Sequence, residues 1–348
     1  MIWLALRRHR TNLLIVLGLL LALGVWMAAV AWQIHTAPVV RLYTLPGYGV
    51  VRARQYTYGP ALFRLTWQVT EINVVLLAVP CVLGALLGAP LVAGEYDDRT
   101  NRLAWTQGIG RTRWYLTKWV AVGLPLLVLV TALAVGTHLW SFHVLGATQA
   151  GGNWGSFSNG GRMQPGVFPA SGVVPVAYTL FAFALGTALG AVVRRTTWAV
   201  VGTVVLYGLA LLVMTTTVRP VLAPQLTVPQ QEGNPSPAIG RLLYGAGYGT
   251  PSAGDAQPWF LGSDYVFAPG YDPPAGSPSP DTIVSSCAAT ATGNASLACI
   301  IGAHLVYADT YQPTSNYWRL QWRESAIYLF ASLLLVAVGW WAVRRWRA

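Results

Sequence analysis

The chain has 348 residues, of which 54% are hydrophobic and only 9% charged, with a mean hydropathy of +0.49. A soluble globular domain carries about 25% charged residues, so this composition excludes an ordinary soluble protein and points to the membrane class. A net charge of +11 would suggest nucleic acid as a partner of a soluble protein, but these basic residues flank apolar runs, so they speak for membrane topology and not for DNA or RNA.

In chain order, the start is basic (Arg7, Arg8, Arg10) and carries Trp3, Leu4 and Leu6, a pattern suited to the membrane interface. The apolar run that follows, 13–33, is longer than the roughly 7–15 residues of a signal-peptide core. It reads as a span. Five more runs, 72–93, 119–140, 172–193, 197–218 and 325–343, also approach the roughly 20 apolar residues a crossing helix needs. None of the six contains Asp, Glu, Lys or Arg. Backbone groups in hydrocarbon must pair within their own segment, so these runs are helices. Pro80 and Pro125 fall inside the second and third runs. Each removes a backbone donor and is expected to kink its helix.

Orientation follows from the basic residues. With the N-terminus inside, the inner segments collect Arg7, Arg8, Arg10, Arg99, Arg102, Arg111, Arg113, Lys118, Arg194, Arg195, Arg344, Arg345 and Arg347, against the acids Glu95, Asp97 and Asp98. Arg41, Arg52, Arg54 and Arg64 in the first outer segment argue the other way and are outvoted. Both termini are therefore expected in the cytoplasm. Three regions result: 1–218 with the first five spans, a large outer loop at 219–324, and 325–348 with the last span and a basic tail. A loop of that length implies structure of its own. Cys287 and Cys299 both lie in it, and an oxidising exterior favours a short disulfide over two free thiols. Cys81 lies in the second span and reads as packing.

The polar stretch between the second and third spans, 94–118, is longer and more basic than a simple turn requires. Asp97 or Asp98 suits the start of a helix, where an acid meets unpaired backbone N–H groups. That helix would run to about Gln107, with Gly108 and Gly110 ending it. Tyr96, Thr100, Leu103 and Gln107 share one face of it. Pattern alone divides evenly between a segment that receives motion from a cytoplasmic partner and an ordinary basic loop. Other chemistry is missing from the sequence. There is no glycine-rich loop ending in Gly-Lys-Ser/Thr to cradle phosphates, and no His/Cys spacing for a metal. The five histidines are scattered, and His138 reads as a hydrogen-bonding group near the end of the third span.

The stretch 94–118 resembles the loop after the second span in membrane subunits of ABC exporters of the second type. That family reads approximately E-x-E-x-G-T, a leucine-rich helix, P-V-S-R and a downstream Lys. Glu95, Thr100, Leu103, Arg111 and Lys118 occupy the matching positions. Arg99 replaces the family Gly, and Gly108–Ile109–Gly110 replaces Pro-Val-Ser. The end of the chain is similar too, with Tyr311–Gln312–Pro313, Tyr317–Trp318, Gln321–Trp322, Glu324, Trp340–Trp341 and Arg344–Arg345 resembling actinobacterial permeases of this type. The resemblance implies an all-α integral membrane fold of six transmembrane helices, with a cytoplasmic coupling helix between helices 2 and 3. It implies an exporter permease, not itself an enzyme, in a bacterial plasma membrane. Glu95, Thr100, Leu103, Arg111 and Lys118 would then couple it to two copies of an ATP-binding subunit. ATP and Mg would sit on that partner, and this chain would bind no cofactor. A second permease subunit, identical or related, would complete the path. The competing expectation is a membrane-anchored sensor or binding protein that works through its outer loop.

Overall fold

The computed structural model describes residues 2–36, 60–98, 110–149, 163, 165–229, 259–290 and 294–345. Six of its helices are long and apolar enough to cross a membrane: span 1 (Arg10–Gln33), span 2 (Trp67–Asp97), span 3 (Arg111–Ser141), span 4 (Val174–Val193), span 5 (Thr196–Val221) and span 6 (Thr314–Arg345). Their positions match the six apolar runs. Except for span 4, the helices extend beyond those runs, because a helix needs apolar side chains only where it meets hydrocarbon or a neighbouring helix. Pro80 and Pro125 lie inside continuous helices, Pro60–Leu83 and Arg111–Gln149.

Span 4 is the axis of the bundle. Its apolar window is 72% buried, against 22% for spans 1 and 5. Small residues make this possible. Gly84 and Gly88 of span 2 face Gly186 and Gly190 of span 4. A Cβ on Gly84 would stand 2.5 Å from the backbone of Ala182, and one on Gly190 would stand 2.7 Å from the Ala89 carbonyl oxygen. The two backbones therefore touch, a contact that only small residues allow and that dispersion rewards within a membrane. The same Gly84–Gly88 stretch is a π-helical turn, a local widening that often marks a functional part of a helix. Span 5 carries a second π turn at Met214–Val218.

Two apolar clusters fill the bundle. One joins Leu87, Leu91, Trp114, Tyr115, Val122, Leu126 and Phe183 with Ala342 and Val343. The other joins Leu23, Met27, Val30, Ile72, Leu76 and Trp140.

The chain divides into two compact units, Met1–Leu222 with Tyr317–Ala348, and Ala223–Asn316. Among the described residues the second unit has three strands, β1 (Leu226–Pro229), β2 (Trp259–Phe267) and β3 (Leu305–Gln312), antiparallel in the order β1-β3-β2. Two short helices, Pro280–Thr290 and Asn294–Gly302, follow β2. Cys287 and Cys299 form a disulfide between them, with Cα atoms 5.7 Å apart. Cys287 is buried with Ile300 and Leu305, against Tyr265, Phe267 and Val284. Gln312 and Asn316 close the unit by donating to the carbonyls of Ala223 (2.8 Å) and Pro224 (2.9 Å). The 219–324 loop of the sequence reading thus contains a folded unit that begins and ends a few residues inside it. The difference arises because spans 5 and 6 continue as helices through Arg219 and Glu324.

Candidate coupling site

The polar stretch 94–118 is anchored by a cluster where spans 2 and 3 meet. Glu95, near the end of span 2, and Lys118, two turns into span 3, form an ion pair. Trp114, one turn before Lys118, lies beside them. Its indole N–H donates to Glu95 at 3.2 Å, and the Lys118 ammonium sits 4.2 Å from its ring centroid. Lys118 also donates to the Leu91 carbonyl at 3.3 Å. The side chains of Lys118 and Glu95 are only 9% and 12% exposed. Such a charge is tolerated away from water when it is paired and its remaining protons are bonded. Lys118 meets that condition through a carboxylate, a carbonyl and an aromatic face.

Neighbouring contacts extend the cluster to the other helices. Tyr96 packs edge-on against Trp114, and the Arg194 guanidinium lies 5.4 Å from the Tyr96 ring centroid. Arg194 follows span 4 in the left-handed region, with φ of 59°. Asp97 ends the helix of span 2. Its carboxylate accepts the Thr196 backbone N–H at 2.9 Å and the Thr196 hydroxyl at 2.6 Å, so it caps the first turn of span 5 from outside that helix. At the start of span 3, Arg111 donates to the Arg344 carbonyl of span 6 at 3.5 Å. The Trp340 indole returns to the Thr112 hydroxyl at 3.1 Å. Spans 2, 3, 5 and 6 are thus tied together around one end of the bundle.

The sequence-derived residues separate into three groups. Glu95 and Lys118 come together as a pair that braces the base of the stretch. Arg111 stands at the first turn of span 3, half-buried. Thr100 and Leu103, and the helix expected around them, lie outside the described residues. Of the two acids that the sequence offered as a helix start, Asp97 or Asp98, Asp97 closes one helix and caps another 99 residues away; the helix expected after them lies outside the described residues. The cap was not legible because its acceptor and donor come from different spans.

A second polar cluster lies at the opposite ends of spans 4, 5 and 6, and sequence reasoning missed it. Arg219, at the end of span 5, meets Glu324 of span 6 through two parallel bonds of 2.8 Å and 2.9 Å. Tyr178 of span 4 completes the group. Its hydroxyl donates to Glu324 and accepts from Arg219 at 3.0 Å. Arg219, Glu324 and Tyr178 are all fully buried. Phe168 covers the guanidinium at 4.8 Å. One turn from Glu324, the Gln321 carboxamide oxygen accepts the backbone N–H groups of Val173 and Val174, at 2.9 Å and 3.0 Å. Its nitrogen donates to the carbonyls of Phe168 and Ser171, both at 3.1 Å. Gly172 makes room for this bridge. Its φ is +74°, and a Cβ there would stand 2.7 Å from Gln321 Oε1. Arg219 and Glu324 each adjoin an uncharged run, so counting apolar residues stopped one position short of both.

Among the described residues, no group of three or more His, Cys, Asp or Glu side chains is placed to hold a metal ion. His138 packs against Trp318 with ring centroids 5.8 Å apart. Asn73 is buried near the start of span 2.

The family described as ABC-2 membrane transporter related matches residues 16–219. Searches of the curated proteins and of the solved structures find no match.

Proposed function

The chain belongs to the ABC-2 membrane transporter related family, and from that premise we propose that it is the membrane subunit of an ATP-driven exporter whose 94–118 stretch docks a separate ATP-binding subunit. The family and the six spans make it a transporter permease and a multi-pass membrane protein; the plasma membrane of bacteria is the usual location of such subunits. Export, coupling to ATP and the docking role are the proposal.

One observation carries it. The Glu95–Lys118 pair joins span 2 to span 3, the helices on either side of residues 99–109 in the chain, and the contacts at this end reach spans 2, 3, 5 and 6. A force applied to the segment would therefore reach four helices through short, polar contacts. That is the construction a rigid-body transition needs, because packed helices switch between discrete arrangements and do not bend continuously. The positive-inside distribution puts this end in the cytoplasm, where ATP is. In this reading two ATP-binding subunits supply hydrolysis with their ATP and Mg, and a second permease, identical or related, forms the other half of the path. Glu95 and Lys118 position the segment, while Thr100, Leu103 and Arg111 are its candidates for contact.

The folded unit at Ala223–Asn316, with its own sheet and disulfide, favours a second reading, a membrane-anchored sensor or binding protein. One experiment separates the two. The tagged chain is purified from native membranes in mild detergent, and its companions are identified. An ATP-binding subunit in stoichiometric amount, lost in Leu103→Asp while the chain remains in the membrane, is the expected result. A chain that brings no such subunit, under conditions that preserve other transporter complexes, overturns the docking role and favours the sensor.

A further inference from the structure

Residues 167–173, just before span 4, are an irregular turn set inside the bundle. Val167, Phe168, Ala170 and Ser171 are each 3% exposed or less. Buried backbone outside a helix needs partners for its N–H and C=O groups, and span 6 supplies them. Gln321 makes four bonds of 2.9–3.1 Å to the turn and to the first N–H groups of span 4. The Ser171 and Tyr317 hydroxyls share another at 3.0 Å. Phe168 lies edge-on to Tyr317, with ring centroids 5.6 Å apart, and covers Arg219 of span 5. On this side the turn is held by polar, directional contacts.

The other side is different. The turn Phe168–Ala170 packs against span 2. Ala170 completes the apolar cluster whose other buried members, among them Leu23, Ile72, Leu76 and Trp140, all come from spans 1, 2 and 3. Among the described residues, 167–173 make no hydrogen bond to those three spans. Breaking the Gln321 bonds would leave four buried polar groups unpaired, each at a desolvation cost. Lifting a small alanine from an apolar seat breaks no directional bond and exposes little area. The seam therefore parts on the side of spans 1, 2 and 3. Nearer the Glu95 end, spans 2 and 4 are pressed backbone to backbone at Gly84 and Gly190, so that contact stays closed while the seat opens.

We propose that residues 167–173 are a gate at this end of the permease: a plug fastened to span 6 by Gln321 that lifts, as one body with spans 4 and 6, from its apolar seat on spans 1, 2 and 3. The gate rests on the transporter permease reading, since a transporter must open at this end. It does not rest on the docking of an ATP-binding subunit.

The test uses the full chain in lipid nanodiscs, with Cys81→Ala and the native disulfide intact. Two readouts are compared. Reaction of Ala170→Cys with a charged maleimide reports opening of the seat, and hydrogen exchange at the Val173 and Val174 amides reports the fastening. The Ala170→Cys thiol should react about tenfold faster than that of Val122→Cys, buried in the other apolar cluster, because local opening costs less than unfolding. The two amides should stay protected meanwhile. Gln321→Met keeps the volume, removes the four bonds and should speed exchange at both amides. Gly172→Ala, whose Cβ would stand 2.7 Å from Gln321 Oε1, makes the same check if Gln321→Met does not elute as folded protein. Four results would overturn the proposal. The thiol reacts no faster than that of Val122→Cys. The amides exchange in step with the thiol, so the turn unfolds and does not lift. Loss of the Gln321 bonds leaves the amides protected. Or a co-purified complex that hydrolyses ATP shows the same thiol rate with and without ATP and vanadate, which makes the turn a fixed seal and leaves docking intact. A chain that brings no ATP-binding subunit loses the docking role, and the first three results still decide the gate.

Discussion

The two polar ends of the bundle solve opposite problems with similar residues. At one end Arg219, Glu324 and Tyr178 are fully buried and bonded in parallel, and Gln321 adds four bonds to the backbone one turn away. At the other end Glu95 and Lys118 pair beside a tryptophan and are nearly buried, and Asp97 caps a neighbouring helix while itself exposed. A buried bidentate pair has no water to replace a broken bond, so its geometry is held firmly. An exposed cap such as Asp97 exchanges its partner for water at lower cost. The difference teaches where the bundle is tied most tightly: the end at Arg219 joins spans 4, 5 and 6 through fully buried bonds, while the end at Glu95 joins spans 2, 3, 5 and 6 through contacts that include an exposed cap.

The largest effect is expected from breaking the firm end. Glu324→Gln leaves Arg219 buried without its counter-charge, and losing one partner of such a pair costs about 3–5 kcal/mol. Thermal unfolding in detergent should show a large loss of stability. The double variant Arg219→Met with Glu324→Leu should recover much of it, because it removes both charges together. Equal losses in the single and double variants would mean that packing, and not the ion pair, holds this end.

A smaller loss, about 2 kcal/mol, is expected for Lys118→Met, which deprives the nearly buried Glu95 of a charged hydrogen bond while the Trp114 indole still donates to it. Here stability and activity should separate. The variant should remain folded in the membrane and retain its companion subunit, while the ATPase activity of the purified complex becomes less responsive to transport substrate. A variant as unstable as Glu324→Gln would erase the distinction between the ends. Asp97→Ala is expected to be mildest, about 1 kcal/mol or less, the value of an exposed helix cap. Asp97→Asn should be close to neutral in the same unfolding measurement, since the amide oxygen still accepts from Thr196.

The fold was largely legible in advance because its main determinant is local. A run of about twenty apolar residues must cross a bilayer whatever its neighbours are, and each of the six runs did form a crossing helix. The candidate site was legible only in part. Glu95, Arg111 and Lys118 stood out because their spacing resembles a family pattern, but nothing in that spacing said that Glu95 and Lys118 would face each other. Glu324 entered only as part of the resemblance at the end of the chain and Arg219 was passed over, because nothing in the sequence pairs residues 105 positions apart.

The sequence alone determined that this is a membrane protein, how many times its helices cross, and which polar stretch stands apart between spans 2 and 3. Those features follow from transfer of side chains between water and hydrocarbon, which each segment experiences by itself. Only the tertiary structure decided that Arg219 reaches Glu324 across 105 residues, that Asp97 caps span 5, and that Gly84 and Gly186 bring two backbones into contact. Such contacts depend on which helix faces meet, and that choice is made by packing among all six spans at once.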